Sequence, residues 1–330
     1  MGRPVAHGYR RVDLVLLLVL SVLWGVAFAF INMGLLRFSP ILFAAFRFDL
    51  AGVCLLLVAL LHDPRDFVPT QGRQWAAILA AGGLMTGAYH AFLFWGQRDT
   101  TASVAAVIVG LSPVLTTIFS RALLHDDRVG RHGLVGLGLG FLGIVVLATT
   151  KGGSILDARG VGELAIVVAI TSWALGSVIV KRLKHGMSVF KFAAWQTLVG
   201  AVFLHVSSLV LEPDPTVIID RPGLFALLYL SLVSSGIGFM IYFGLVEEVG
   251  PIRVNVVSYL APIFATIAGI ALLGQPFEWR AVLAFAFIVA GFVLVARPSS
   301  KPLQVEDPGR VPPKDLVEDP VLPRDLTDRR

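Results

Sequence analysis

The sequence predicts an all-α polytopic membrane protein: ten transmembrane helices arranged as two inverted five-helix repeats. Three observations lead there. The 330-residue chain is 56% hydrophobic and 15% charged, with a mean hydropathy of +0.81, whereas a soluble domain carries about 25% charged residues. Ten apolar runs approach the ~20 residues needed to cross a hydrocarbon core of about 30 Å. The chain also repeats itself. Shifted by 149 residues, Trp24 meets Trp173, Ser39 meets Ser188, Phe43 meets Phe192, Gly87 meets Gly236, Pro113 meets Pro262 and Thr117 meets Thr266. The register slips by one only near the end, where Gly143 meets Gly291.

In order, the expected spans of the first copy are Leu14–Leu36, Pro40–Leu61, Gln74–Gly96, Thr101–Leu124 and Gly133–Thr149. Those of the second are Gly162–Val180, Ser188–Leu211, Leu224–Val246, Ile252–Gly274 and Trp279–Ala296. Short links rich in charge, glycine and proline separate them, such as His62-Asp63-Pro64 and Val249-Gly250-Pro251. The organisation is therefore an N-terminus over 1–12, one repeat over 13–150, a second over 161–297 and a tail over 298–330. Five crossings per copy is an odd number, so the two copies start on opposite sides of the membrane. Such inverted repeats recur in secondary transporters, with substrate bound near the midplane between them.

The N-terminus imitates a signal peptide, with Arg3, Arg10 and Arg11 before an apolar run ending at Ala27-Phe28-Ala29. That run is longer than a signal h-region, and Trp24 has its repeat partner inside the sixth span, so the segment is expected to stay. Arg65, Arg73, Arg121, Arg128, Arg131, Lys181, Arg182 and Lys184 collect on the side of the N-terminus. The positive-inside rule then places both termini in the cytoplasm of a multi-pass protein of the plasma membrane. The tail after Pro298 is proline-rich with mixed charge and reads as disordered.

Several function classes fall away. The net charge of +5 is scattered over short loops with no basic patch, against nucleic acid. Cys54 is the one cysteine and sits in an apolar run, against an intrachain disulfide framework. No G-x-x-x-x-G-K-[ST] loop points to ATP hydrolysis, and neither G-x-S-x-G nor H-E-x-x-H points to an intramembrane enzyme. No metal or cofactor site is expected.

The motifs resemble the EamA-type transporters of the drug/metabolite transporter superfamily. They are Trp24-Gly25, Arg47-Phe48, Ala105–Pro113 (AAVIVGLSP), Ser172-Trp173-Ala174-Leu175-Gly176, and Val249-Gly250-Pro251 leading to Ser258–Pro262. Their order across both copies carries the resemblance, which spans Leu14 to Ala296. It implies a central cavity and the export or import of small metabolites such as amino acids. One departure stands out. The family carries a glutamate after Leu-Leu-Gly at the ends of helices four and nine, whereas here the second copy reads Leu273-Gly274-Gln275-Pro276.

Candidate transport residues lie where polar groups enter the spans. Arg47 and Asp49 fall near the middle of the second helix, where an unpaired charge costs at least a few kcal/mol. Two residues apart on a helix they face different ways, so each needs its own partner or a wet cavity. Arg47 is an anionic-substrate contact or a structural ion pair; Asp49 is a proton-coupling carboxylate or another such pair. Asn255, Tyr259, Pro262 and Thr266 share one face of the ninth helix, which serves substrate hydrogen bonding or helix packing. Ser231, Ser235, Gly238 and Tyr242 mark the eighth; Gly82, Thr86 and Tyr89, with His90 on an adjoining stripe, mark the third. His90 titrates near neutrality in its free form and is a second coupling candidate, or a packing residue. His205 is set aside because no other polar residue lies on its own helical face. Trp24 and Trp173 wall a cavity or simply pack. Gly133, Gly136, Gly140 and Gly143 read as a close-packing or homodimer surface.

The expected function is a secondary transporter, an exporter of small metabolites working by alternating access, with proton coupling through Asp49 or His90. The alternatives are a lipid-linked or nucleotide-sugar carrier on the same scaffold, and an intramembrane enzyme. Columns where the copies disagree, such as Arg47 against Gln196 and His90 against Phe239, mark where substrate is expected.

Overall fold

A computed structural model describes residues 11–62, 64, 67–124, part of 135–146, 158–249, 254 and 257–296. Among the described residues the regular structure is helical, apart from one isolated antiparallel bridge between Phe38 and Val217. Among the described residues, seven helices are long and apolar enough to cross a membrane. They are α1 (Arg11–Leu35), α2 (Pro40–His62), α3 (Gly72–Gln97), α4 (Ala102–Leu123), α5 (Gly160–Leu183), α6 (Val189–Leu211) and α7 (Arg221–Val246). Two further apolar helices follow, α8 (Val257–Leu273) and α9 (Trp279–Ala296). Helical residues also occur between 135 and 146, inside the predicted fifth span. The rest of that span, the acidic turn before it and the tail from Pro298 lie outside the described residues.

Local chemistry sets where the helices begin. Thr101 Oγ1 accepts the Val104 amide to cap α4, and Ser188 Oγ accepts the Lys191 amide to cap α6. Asp220 accepts the Gly223 amide at the head of α7, with Pro222 in the first turn. The start of α2 is capped from a distance. The Ile41 and Leu42 amides each donate to one carboxylate oxygen of Glu212 at 2.9 Å, and the Ser208 hydroxyl donates to the same group. A helix N-terminus presents orphan amides and the positive end of the macrodipole, so a carboxylate fits there.

Two helices are interrupted by wide turns. α3 runs as a π-helix over Ala81–Ala88 and α7 over Tyr229–Ile237. The 149-residue shift that aligns Trp24 with Trp173 carries the first segment onto the second. Backbone carbonyls in both accept bonds from outside their own helix. Ser172 Oγ on α5 donates to the Leu84 carbonyl at 2.9 Å, and Trp24 Nε1 on α1 donates to the Ser234 carbonyl at 3.1 Å. Such π segments bend helices and frequently sit at functional sites.

Packing follows pairs. α2 lies along α6, α1 along α8, and α5 along α4 and the second half of α3; the π segment of α3 meets α6 and that of α7 meets α2. Within lipid there is no hydrophobic drive between helices, and small residues let backbones approach. Gly25 shows the need: a Cβ there would lie 2.6 Å from the Ala261 carbonyl of α8. The predicted glycine stripe of the fifth span is used inside the chain. A Cβ on Gly140 would meet Leu111 at 2.8 Å, and one on Gly143 would meet the Ala284 carbonyl of α9 at 2.8 Å. Gln275 caps α4 through its amide: Oε1 accepts the Ala102 amide at 3.2 Å.

Candidate functional site

The wide turn of α7 and the middle of α2 bring three donors together. Arg47 is 4% exposed. Its Nε donates to Ser235 Oγ at 2.8 Å and its Nη2 to Ser234 Oγ at 3.1 Å, while the guanidinium lies 4.9 Å from the Phe48 ring and 5.8 Å from the Phe94 ring. Ser234 and Ser235 follow Ser231 at spacings of three and four, so both fall on the face that Ser231 marks. They lie within the π turn, and both reach Arg47. The sequence reading named Ser235 and passed over Ser234, although its spacing from Ser231 could have found it.

Around this group is a cavity of ≈ 70 Å³ lined from α1, α2, α3, α4, α5, α7 and α8. Trp24, Arg47, Tyr89, His90 and Trp173, all expected from the sequence, are on its wall, together with Ser112, Ser234, Phe239, Ser258 and Ala261. Typical ligand sites run to about 300–1,000 Å³, so in this conformation the cavity is tight. Trp24 and Trp173 meet edge to face with centroids 6.3 Å apart, and Tyr89 lies 5.0 Å from Trp173. His90 Nδ1 donates to the Thr86 carbonyl at 2.9 Å, and its ring sits 4.4 Å from Phe48.

The remaining expected residues fall elsewhere. Tyr242 is buried against Trp24 and Trp173, at 5.2 and 5.7 Å, behind the cavity wall. Tyr259 is buried in α8 but is not among the lining residues; Ser258 and Ala261 present the cavity-facing side instead. Thr266, on the Tyr259 stripe, bonds Ser103 of α4 at 2.8 Å, so that stripe includes a helix-packing contact. Asn255 lies outside the described residues.

Asp49 points away from the cavity. Its carboxylate lies 2.7 Å from His205 Nε2 across the seam between α2 and α6, with both side chains half exposed and Phe46 beside the imidazole. From the sequence His205 is a weaker candidate than His90; its partner comes from another helix. Gln196, the repeat mate of Arg47, is buried and accepts from the Thr86 hydroxyl at 2.7 Å, away from the lining.

At one end of the bundle a clasp joins the link after α1 to the link after α6. The Ser39 amide donates to the Thr216 carbonyl and the Ile218 amide to the Arg37 carbonyl, flanking the Phe38–Val217 bridge. Arg37 Nε pairs with Asp220 at 2.9 Å. The Gly223 amide and the Arg37 guanidinium hold the Asp220 carboxyl below the usual aspartate range.

The EamA-like transporter family matches this chain twice, over residues 13–149 and 160–297. The chain belongs to that family. Among curated relatives, the "Uncharacterized inner membrane transporter YedA" of Escherichia coli K12 is 30% identical over 84% of this chain and 89% of its own. The "Uncharacterized transporter YvbV" of Bacillus subtilis is 27% identical over 85% of this chain and 90% of its own. The "Probable amino-acid metabolite efflux pump" of Salmonella typhimurium is 28% identical over 86% and 94%. A solved crystal structure, 22% identical, superposes with a TM-score of 0.63 over 87% of this chain and 97% of that one, which shows the fold. The EamA match and the seven apolar helices make this a multi-pass transporter of the plasma membrane rather than an enzyme. Every lining residue of the cavity falls within one of the two matched segments.

Proposed function

We propose that this protein is a secondary transporter that exports a small amphipathic metabolite by alternating access, a reading supported by the relatives named probable amino-acid metabolite efflux pumps. Substrate sits in the cavity between two inverted five-helix repeats, 13–150 and 161–297, with both termini in the cytoplasm. One observation carries this reading: the cavity is lined from both matched segments, with a buried cation in an otherwise mostly apolar wall. The helix pairings and the two π segments recur at the repeat spacing, which supports an inverted repeat whose halves rock about the cavity. Its small volume agrees with a closed conformation that must open to load. His90, on the wall, is the coupling candidate in contact with the cavity, whereas Asp49 lies at the α2–α6 seam against His205. The nucleotide-sugar alternative needs several cations for its phosphates, and among the described lining residues Arg47 is the one lysine or arginine.

The test compares cells with and without the protein, preloaded with a panel of labelled metabolites. Export of at least one panel member should rise severalfold with the protein and collapse when the proton gradient is dissipated. Equal efflux in both strains across the panel would remove the transporter reading. Efflux indifferent to the gradient would remove only its proton coupling.

A further inference from the structure

Arg47 is a buried cation whose protein partners are all neutral. Among the described residues, no carboxylate lies within ion-pair reach of it, and no acidic side chain lines the cavity. This sets aside the structural ion pair that the sequence left open. A guanidinium in hydrocarbon surroundings without a counter-charge costs several kcal/mol. Two hydroxyls and two aromatic faces soften that cost and cannot cancel it.

The hydrogen-bond inventory gives the sign of the missing ligand. Ser234 and Ser235 each accept from Arg47, so each hydroxyl still has its own proton to donate. Arg47 Nη1 has no protein partner among the described residues. Three donors from α2 and α7 thus converge with one net positive charge, and no carboxylate lines the cavity to face them. Arginine with adjacent hydroxyls matches a carboxylate. The wall also carries Trp24, Tyr89, Trp173 and Phe239, suited to an apolar or aromatic body.

We infer that the cavity is a site for a compact organic monoanion: a carboxylate held by Arg47, Ser234 and Ser235, carrying an apolar body between Trp24 and Trp173. This deepens the transporter reading and rests on the same cavity. It separates the substrate from zwitterions, because no carboxylate on the wall receives an ammonium, and from polyanions, because one arginine faces them.

The purified full-length protein in detergent and in liposomes tests the assignment with four probes of one shape. They are 3-phenylpropionate, its neutral amide, the cationic 2-phenylethylamine and zwitterionic phenylalanine. Binding is read from quenching of tryptophan fluorescence and transport from counterflow. The carboxylate should bind at least tenfold tighter than each of the other three. Arg47→Gln should erase that preference while residual amide binding persists. The Ser234→Ala/Ser235→Ala double variant, which keeps the charge, should weaken the carboxylate severalfold and leave the amide unchanged. Equal binding of amide or phenylalanine, a preference that survives Arg47→Gln, or no binding by any probe overturns the monoanion site. Counterflow without carboxylate preference would sink the site and leave the transporter standing. Carboxylate-selective binding without counterflow would do the reverse.

Discussion

Two charged residues one position apart from being neighbours, Arg47 and Asp49, illustrate how strongly a helix separates functions. Arg47 faces the cavity and bonds the serines of α7, while Asp49 faces the seam with α6 and meets His205 at 2.7 Å. The Asp49–His205 pair lies two residues from the middle of α2, where a lone charge is expensive. The contact between them holds both side chains in place and ties α2 to α6. Interhelical hydrogen bonds in membranes contribute about 0.6 kcal/mol on average and up to about 1.7. A double-mutant cycle with Asp49→Asn and His205→Gln, read by thermal unfolding in detergent, should therefore return a coupling of about 1 kcal/mol. Each single variant should melt below the wild type, and the double variant no lower than the worse single. Additive losses would mean the two side chains do not act as a pair. From sequence, the separation of Arg47 and Asp49 was readable from helical geometry alone. The identity of the partner was not, because spacing along one helix says nothing about which residue a neighbouring helix brings to the seam.

At the scale of elements, spacing marks polar faces without fixing what each face meets. Trp24 and Trp173, paired by the repeat and read as wall or packing residues, lie with rings 6.3 Å apart. Ser234, three residues from Ser231 on the same face, was passed over, and the Tyr229–Ile237 π segment sets it beside Ser235 at Arg47. The Tyr259 stripe is regular, yet its Thr266 packs on Ser103; amphipathic spacing in lipid marks polarity without distinguishing cavity from helix contact. The clasp lay in the loops and depends on pairing distant in sequence. Its Asp220 carboxylate, held by the Gly223 amide and Arg37, gives a pH signature. The Asp220 carboxyl is held below its ordinary value, so the stabilisation is present above the unfolded-state aspartate pKa of about 3.9 and is lost as pH falls through the folded value. Asp220→Asn should lower the melting temperature at pH 7 and bring it close to that of the wild type in strong acid. A deficit equal at pH 7 and in strong acid would show that the Asp220 charge contributes nothing through either the Gly223 amide or Arg37.

At the scale of the whole molecule, alternating access requires that each end of the bundle open in turn, so a closed end must have a contact that breaks. The clasp meets this requirement at one end. It joins a link in the first matched segment to a link in the second, through main-chain bonds that neither half makes alone. Phe38 and Val217 are directly opposed, with the flanking amides and carbonyls bonded on either side. That is the geometry of a non-hydrogen-bonded antiparallel pair, with Cα atoms about 4.5 Å apart, inside the ~4.4–6.8 Å range of a disulfide. In a Cys54→Ser background, Phe38→Cys with Val217→Cys should oxidise readily. If this end must open during turnover, the oxidised protein should lose flux at least tenfold and recover it on reduction, while either single cysteine variant transports in both states. Phe38 also stacks on Phe43 at 5.0 Å, so flux in the reduced double variant is the control that separates the bridge from the lost ring. Unchanged flux in the fully oxidised protein would mean that the two links move as one body, and the opening would then have to be sought where the halves meet elsewhere.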